Sequence, residues 1–575
     1  MGEGVGCNGD AADAAFSCPI RGNPGVGQGS GKRLNFFRFP LVKFFTSTYE
    51  RGGMVAAGRQ SLLSFAHLQS HFVIPRFIMS HEATMPTRPN LSTSEDVLER
   101  VTIDKTTRVP VLFFFTSATI WLVIATVLGM VSSIKLFAPD FLDWEWANYG
   151  RTQPAFINAL VYGWAMQAGF GVMVWIMARL CRTELKNPLT VVVAGHFWNL
   201  GVAVGVVGIL GGFGTAAKWL EMPPIVWPIL MVSYLLITIW LVVMFQARRK
   251  DTAYISQWYI LAACFTFPWM YLIANVLLFT MKSAGVMGPA IASWYASNLM
   301  FLWFVPVGLG TAYFIIPKIT GQPIYSYHLA KMAFWTLMAL GGWTGMQELL
   351  GGPLPKWMPA VAGGAQILLL IPVIMVGLNH YKTVQGSHGM VQFSPTLRFT
   401  FFGAIGYTAA SCVMAFLSLA SIARYAQFSF AGDGAQMFVL YMFFSMVMFG
   451  AIYFIVPRVT GCEWISGKRI RFHFWFSAYG SISLGVMLLA GGIWYGSSVD
   501  AWDRGFEATL SFSRGFRTGT AVAWFLILLA NLSFFVHLML MVMNRGRKAG
   551  AATLIHKVPT DEAEIVITTE GAETA

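Results

Sequence analysis

From Val109 to about residue 543 the chain is a succession of long apolar runs broken by short polar ones, and the runs lack the strict alternation of a membrane β-barrel strand. Each run is long enough to cross a hydrocarbon core of ~30 Å. They fall near 109–134, 155–178, 190–213, 225–245, 258–281, 293–316, 330–350, 359–378, 399–422, 436–456, 472–495 and 518–543. Backbone groups in lipid must bond within their own segment, so the pattern predicts twelve transmembrane helices and an all-α integral membrane fold. Residues 101–547 form this membrane domain, and 548–575 a polar tail.

Residues 1–100 contain no apolar run of spanning length and are expected to be a poorly ordered or over-extended N-terminal segment. The basic and Phe-rich stretch Arg33 to Phe45 loosely resembles a targeting peptide, but no apolar core with a small-residue cleavage site follows it. Met79 and Met85 each open a stretch that leads into the first span.

Charge changes the picture by giving the spans a direction. Alternate loops carry clusters such as Arg179, Arg182, Lys186, then Arg248, Arg249, Lys250, then Arg458, Lys468, Arg469, Arg471, about 20 Lys and Arg in all against about 9 on the other side. The sparse side holds Lys218, Lys282, Lys356 and Arg424, together with the acidic, Trp-rich segment Asp140 to Trp146. By the positive-inside rule both termini are expected to be cytoplasmic. A net charge of +13 would suggest nucleic acid in a soluble protein; here the basic residues set orientation, and no nucleic-acid partner is expected.

Composition agrees, with 56% hydrophobic and 11% charged residues and a mean hydropathy of +0.60. The lipid bilayer is therefore the main solvent. Six cysteines are scattered without a CxxC or CxxCH, which supports neither covalently attached haem nor a thiolate metal site.

Two span exits repeat one another: Tyr313-Phe-Ile-Ile-Pro-Lys-Ile-Thr-Gly321 ends span six and Tyr453-Phe-Ile-Val-Pro-Arg-Val-Thr-Gly461 ends span ten. A spacing of four spans divides twelve helices into three units, with span two, ending Met177-Ala-Arg-Leu-Cys-Arg182, as a weaker first copy. Such repeats bring equivalent helices to a shared interior.

Three units of four helices, with spans two, six and ten equivalent, resemble the haem-copper oxidase superfamily. Subunit I of the cbb3-type cytochrome c oxidases is suggested by Trp294-Tyr295-Ala-Ser-Asn298, by the span-six exit with Gln-Pro-Ile-Tyr325-Ser-Tyr327 after it, by Phe334-Trp335, Trp343-Thr-Gly345 and Leu354-Pro-Lys-Trp357, and by Gly150-Arg-Thr-Gln-Pro154. The resemblance covers roughly residues 100 to 545 and implies twelve helices in three pseudo-symmetric arcs within a bacterial inner membrane.

It also implies a ligand set of imidazoles, which are neutral, donate to both iron and copper, and can be oriented through the second ring nitrogen. In the family, span two and the His-x-His of span ten serve haem, while span six and a His pair in span seven serve copper. Carried across, the haem positions fall on Phe156, Ala435 and Met437, and the copper positions on Ser297, Gln347 and Glu348; the active-site tyrosine falls on Gly341. None is histidine. The ten histidines (His67, His71, His81, His196, His328, His380, His388, His473, His537, His556) all lie outside spans two, six, seven and ten as drawn.

His196 and His537 lie deepest in apolar runs and read as interhelical hydrogen-bonding groups before they read as haem ligands. Gln347 and Glu348, at the end of span seven, suit a solvated or hydrogen-bonded helix end better than a cation site or a proton relay. Met437 reads as core packing, since its expected partner Phe156 has no donor atom. Ser297, Asn298, Asn199 and Asn531 read as hydrogen-bonding links between helices.

Three functions follow. The favoured one is a cbb3-type subunit I-like protein of a respiratory electron-transfer complex with a degenerate active site, holding no cofactor and serving as an anchor or assembly partner, with a membrane-anchored c-type cytochrome subunit as a candidate partner. The second is a working oxidase with haem b and copper. The third is an ion or small-solute carrier using Glu348 and Gln347.

Overall fold

All twelve apolar runs are helical in the computed structural model, which describes residues 94–249, 252–501 and 504–546. The N-terminal segment up to residue 93, the tail from residue 547, and His67, His71, His81 and His556 lie outside the described residues. The spans are α1 (Ser94–Lys135), α2 (Tyr149–Cys181), α3 (Pro188–Leu210), α4 (Val226–Gln246), α5 (Ile255–Thr280), α6 (Met287–Thr320), α7 (Tyr327–Gly341), α8 (Trp357–Val384), α9 (Pro395–Leu417), α10 (Ala431–Thr460), α11 (Gly467–Asp500) and α12 (Phe506–Val542). No β-sheet occurs among the described residues.

Eleven of these helices are long and apolar enough to cross a membrane by themselves. The seventh differs from its expected extent of 330–350. It stops at Gly341 after 15 residues, which at 1.5 Å per residue is about 22 Å. Gly341-Gly342 opens the break, and Gly345 completes it with φ of 114°. A Cβ at Gly345 would stand 2.5 Å from the Ser293 carbonyl of α6, so this turn needs glycine for both its conformation and its close approach. Gln347 and Glu348 therefore lie on a separate 3₁₀ turn, Met346–Leu349, rather than at the end of the helix.

The repeat seen in the span exits governs the architecture. The most apolar stretches of α2, α6 and α10 are 100%, 94% and 100% buried, against 39–50% in the other eight long spans. These three helices form the centre, and the other nine surround them. Each central helix carries a π-helical segment at the same level: Ala159–Ala165, Met300–Phe304 and Phe438–Ser445. A π turn displaces the backbone ladder by one residue and frees a carbonyl; in α10 the Ser445 hydroxyl donates to one of these, Leu440 O, at 2.7 Å. Each helix also ends on a left-handed residue three positions after a basic one, namely Arg182 (φ 51°), Gly321 (φ 67°) and Gly461 (φ 71°). The first copy, weak in sequence, is thus explicit in structure.

Polar staples hold the arcs together. Tyr441 of α10 donates to Asn531 Oδ1 of α12 at 2.7 Å, and Asn531 Nδ2 donates to Thr126 of α1 at 2.8 Å. Asn199 of α3 accepts from Trp121 of α1 at 2.9 Å and exchanges amide bonds with Gln167 of α2 at 3.0 Å. Both asparagines play the interhelical part expected of them. Asn298 differs, its amide donating to Trp294 O within α6 at 2.7 Å.

Candidate functional site

Phe156, Ser297, Ala435 and Met437 all stand toward the N-terminal ends of the parallel central helices, and the turn bearing Gln347 and Glu348 meets the same end. The structure therefore gathers the positions singled out in the sequence at one end of the three-helix centre. The loop joining α3 to α4, residues 211–225, folds into that end. Its Trp219 is 1% exposed and has φ of 63°, a left-handed conformation that a bulky side chain avoids unless its surroundings hold it there.

Three hydrogen bonds and one ion pair pin the loop. Tyr162 of α2 donates to Trp219 O at 2.7 Å, and its hydroxyl lies 2.8 Å from that of Tyr295 in α6. Trp219 Nε1 donates to Gln436 Oε1 of α10 at 3.3 Å. Asn158 Nδ2 of α2 donates to Glu221 at 2.6 Å. The loop thereby ties α2 to α10 directly and reaches α6 through the Tyr162 hydroxyl. Lys218, one residue before the tryptophan, forms a 2.6 Å ion pair with Glu348.

Electrostatics follow from this placement. Burial pulls the Lys218 ammonium down, while Glu348, and beyond it Asp433 and Glu221, push it up; the outcome lies above the usual lysine value. Burial likewise raises the Glu221 carboxyl, against the pull of the Asn158 amide and of backbone N–H groups. Lys218, Glu221 and Asp433 did not stand out in the sequence. The available signals were the one cation in a Trp-bearing loop and the one acid in the first turn of span ten.

The other positions are filled by packing. Phe156, 3% exposed, meets Trp524 of α12 edge-to-face at 4.9 Å. Ser297 and Thr344 share a hydroxyl bond of 2.8 Å. Gln347 accepts the Gly345 backbone N–H at 2.6 Å, and Gly341 abuts Leu302. Ala435 and Met437 are buried at 2% and 3%. Deeper in, Trp164 of α2 donates directly to Ser445 of α10 at 2.8 Å and packs on Phe449 at 5.1 Å.

His196 was expected deep in span three, but the structure turns it outward. It is exposed, bonds its own helix at Val192 O (2.9 Å) and lies on Phe113 of α1 at 4.5 Å. His537 is fully buried and accepts from the Ser466 N–H at 3.4 Å, with its ring on Trp464 at 4.7 Å. The two share no contact with the candidate end. Among the described residues, no group of three or more His, Cys, Asp or Glu is placed to hold a metal ion.

Nine helices around a threefold-repeated centre of three define a polytopic membrane protein. Residues 109–528 match the family model for cytochrome c and quinol oxidase polypeptide I, and the chain belongs to that family. It is 25% identical over 450 residues to the cbb3-type cytochrome c oxidase subunit CcoN1 of Stutzerimonas stutzeri, covering 75% of this chain and 93% of that one. It is 25% identical over 401 residues to a cytochrome c oxidase subunit 1 homolog of Azorhizobium caulinodans, covering 66% and 69%. A solved haem-copper terminal oxidase dimer shares the fold, with a TM-score of 0.59, 12% identity, and coverage of 80% of this chain and 89% of its own. The protein is a haem-copper oxidase subunit I homologue of the cbb3-like branch.

Proposed function

We propose that this chain is a non-catalytic subunit I: a multi-pass protein of the bacterial cytoplasmic membrane that keeps the oxidase scaffold without its cofactors. The donor chemistry at the six positions carries this reading. Phe156 and Ala435 have no donor atom, Ser297 is bonded to Thr344, Gln347 to Gly345, and Glu348 to Lys218. Met437 is a single soft donor whose expected partner is Phe156. Haem and copper do not fit such a set, since one thioether does not substitute for several oriented imidazoles. Reduction of O2 needs a centre that passes electrons singly, which these side chains do not do.

The role we assign is that of a membrane anchor or assembly partner for respiratory subunits, a membrane-anchored c-type cytochrome among them, with both termini on the cytoplasmic side. A carrier path along Glu348 and Gln347 gains no support, because both side chains are engaged. Family membership favours one competing reading, a working oxidase. That reading requires about two haems and one copper per chain. A pyridine haemochrome assay with copper analysis on the purified full chain separates the two. We expect no stoichiometric haem or copper; a reduced-minus-oxidised haem spectrum at stoichiometric intensity would overturn the proposal.

A further inference from the structure

The outward face of α3 carries a row of exposed side chains, Leu189, Val193, His196, Leu200, Val204 and Val207, in which His196 is the only polar member. We propose that a transmembrane helix of a different polypeptide docks along this row and donates a hydrogen bond to the His196 imidazole. The inference deepens the assembly role proposed above and rests on it.

Depth is the first observation. α3 runs from Pro188 to Leu210 and begins on the Lys/Arg-rich side. At 1.5 Å per residue, His196 lies about 12 Å from that end of the helix and about 21 Å from the other. A hydrocarbon core is ~30 Å thick, so the ring stands inside it. An imidazole is too short to snorkel from there to either interface, as a long Lys or Arg side chain does.

The second is the hydrogen bonding of the ring. Nδ1 lies 2.9 Å from Val192 O, and a carbonyl only accepts, so Nδ1 is the donor. In a neutral imidazole the other nitrogen is then an acceptor. His196 makes no further hydrogen bond among the described residues, which leaves Nε2 facing outward without a donor. Nor is there room for the ring to turn inward. Its neighbour Gly195 lets α1 and α3 meet so closely that a Cβ there would stand 2.5 Å from the Phe113 ring. His196 itself lies on that same ring at 4.5 Å.

The third is what the surroundings offer. Histidine within a spanning helix ordinarily faces the bundle interior or a water-filled cavity, and His196 faces neither. Hydrocarbon supplies no water, and acyl chains have no donor. A donor at this depth has to be carried by another spanning helix, on a side chain such as Ser, Thr, Asn or Gln that bonds across helices. A second copy of this chain, docked on the same row by a twofold axis, would set one acceptor against another. The complement is therefore a different polypeptide. Val193, Leu200 and Val204 give its helix apolar ridges to pack against, while the single polar bond fixes its depth and rotation.

The test places the photoreactive residue benzoylphenylalanine at Leu200 of the full chain, expressed in its native host membrane. A matched probe replaces Ile374 on α8, which is equally open to lipid at 68% exposure. Adducts are digested and sequenced by mass spectrometry. We expect an adduct from Leu200 and none from Ile374, mapping to an apolar span of another polypeptide that bears a hydrogen-bond donor at the cross-linked level. His196→Leu should lower its yield about threefold, as one hydrogen bond between membrane helices is worth. His196→Gln, which keeps an acceptor, should restore it. Thermal unfolding of the purified chain should be the same in both variants, because the side chain is exposed and bonds only its own helix. An earlier unfolding of His196→Leu that accompanies the lost yield would assign the residue to the fold of α3 and overturn the proposal. An adduct with a second copy, with lipid alone or with a span lacking a donor also overturns it, as does a yield indifferent to His196→Leu. Adducts from Ile374 with none from Leu200 remove this surface and leave the assembly role standing, whereas copurification of no other polypeptide removes both.

Discussion

Replacing Lys218 by methionine tests whether the loop 211–225, the plug at the N-terminal end of the three central helices, is held by its ion pair. The ammonium lies 2.6 Å from Glu348 Oε2, with the two side chains 31% and 32% exposed. Two unit charges at about 4 Å attract by about 4 kcal/mol at an effective dielectric of about 20. Solvent screening and the entropy of fixing both side chains remove most of that, leaving about 1 kcal/mol. The methionine variant also strands Glu348 near Asp433, which adds up to about 1 kcal/mol. A loss of about 1–2 kcal/mol is expected in equilibrium unfolding. Glu348→Gln should cost less, and the double variant no more than Lys218→Met alone, a coupling of about 1 kcal/mol between neighbours. The sign with pH follows from the raised lysine value. A group whose folded pKa exceeds its unfolded one, about 10.4 for lysine, contributes in full below the unfolded value. The contribution is then lost as pH rises through the folded value. The Lys218→Met penalty should therefore persist at neutral pH and shrink only in strong alkali. Additive single variants, or a penalty already gone by about pH 8, would refute the reasoning.

Three further outcomes follow. Gly345→Ala places a Cβ 2.5 Å from the Ser293 carbonyl at φ of 114°, so it should cost about 3 kcal/mol or more and show as poor accumulation of folded protein in size-exclusion profiles. Asn531→Leu removes the link between Tyr441 and Thr126; intramembrane hydrogen bonds of this kind are worth about 0.6 and at most about 1.7 kcal/mol, a range that equilibrium unfolding in mixed micelles resolves. In a background with its own cysteines replaced, Asp140→Cys should react with an impermeant maleimide from outside intact cells and Lys468→Cys only after permeabilisation. The reverse pattern would invert the assigned orientation.

The spans were legible because lipid leaves the backbone only helices or closed barrels and the runs lack a barrel's alternation, and the equivalence of α6 and α10 because both exits carry Tyr-Phe-Ile-x-Pro. The copy in α2 was faint: Ala178 replaces the proline and Arg182 the glycine, yet the αL cap and the π turn persist. These features are set by packing among the three central helices, to which each copy's sequence contributes only part. The outward phase of His196 was not legible for a different reason. α3 is apolar on nearly every face, so periodicity gives it no inward side. The shortness of α7 was written in Gly341-Gly342 and Gly345, which hydropathy alone averages away. The plug was hidden because its bonds join residues far apart in the chain, Trp219 to Gln436 and Asn158 to Glu221.

The loop 211–225 also bears on how the centre would hold together under the proposed cofactor-free reading. Four pairs meet in this region: Tyr162 with Tyr295, Ser297 with Thr344, Trp164 with Ser445, and Trp219 with Gln436. Each bond is modest, since a hydrogen bond between membrane helices averages about 0.6 kcal/mol. Their common location matters more than their sum. Every one joins a central helix to another or to the segments that cap their N-terminal ends. A single histidine placed at Phe156 would meet Trp524 of α12. Under the proposed cofactor-free reading, admitting a cofactor at these positions would mean displacing the loop, the aromatic contacts and the Lys218–Glu348 pair together, so these contacts form one coupled unit.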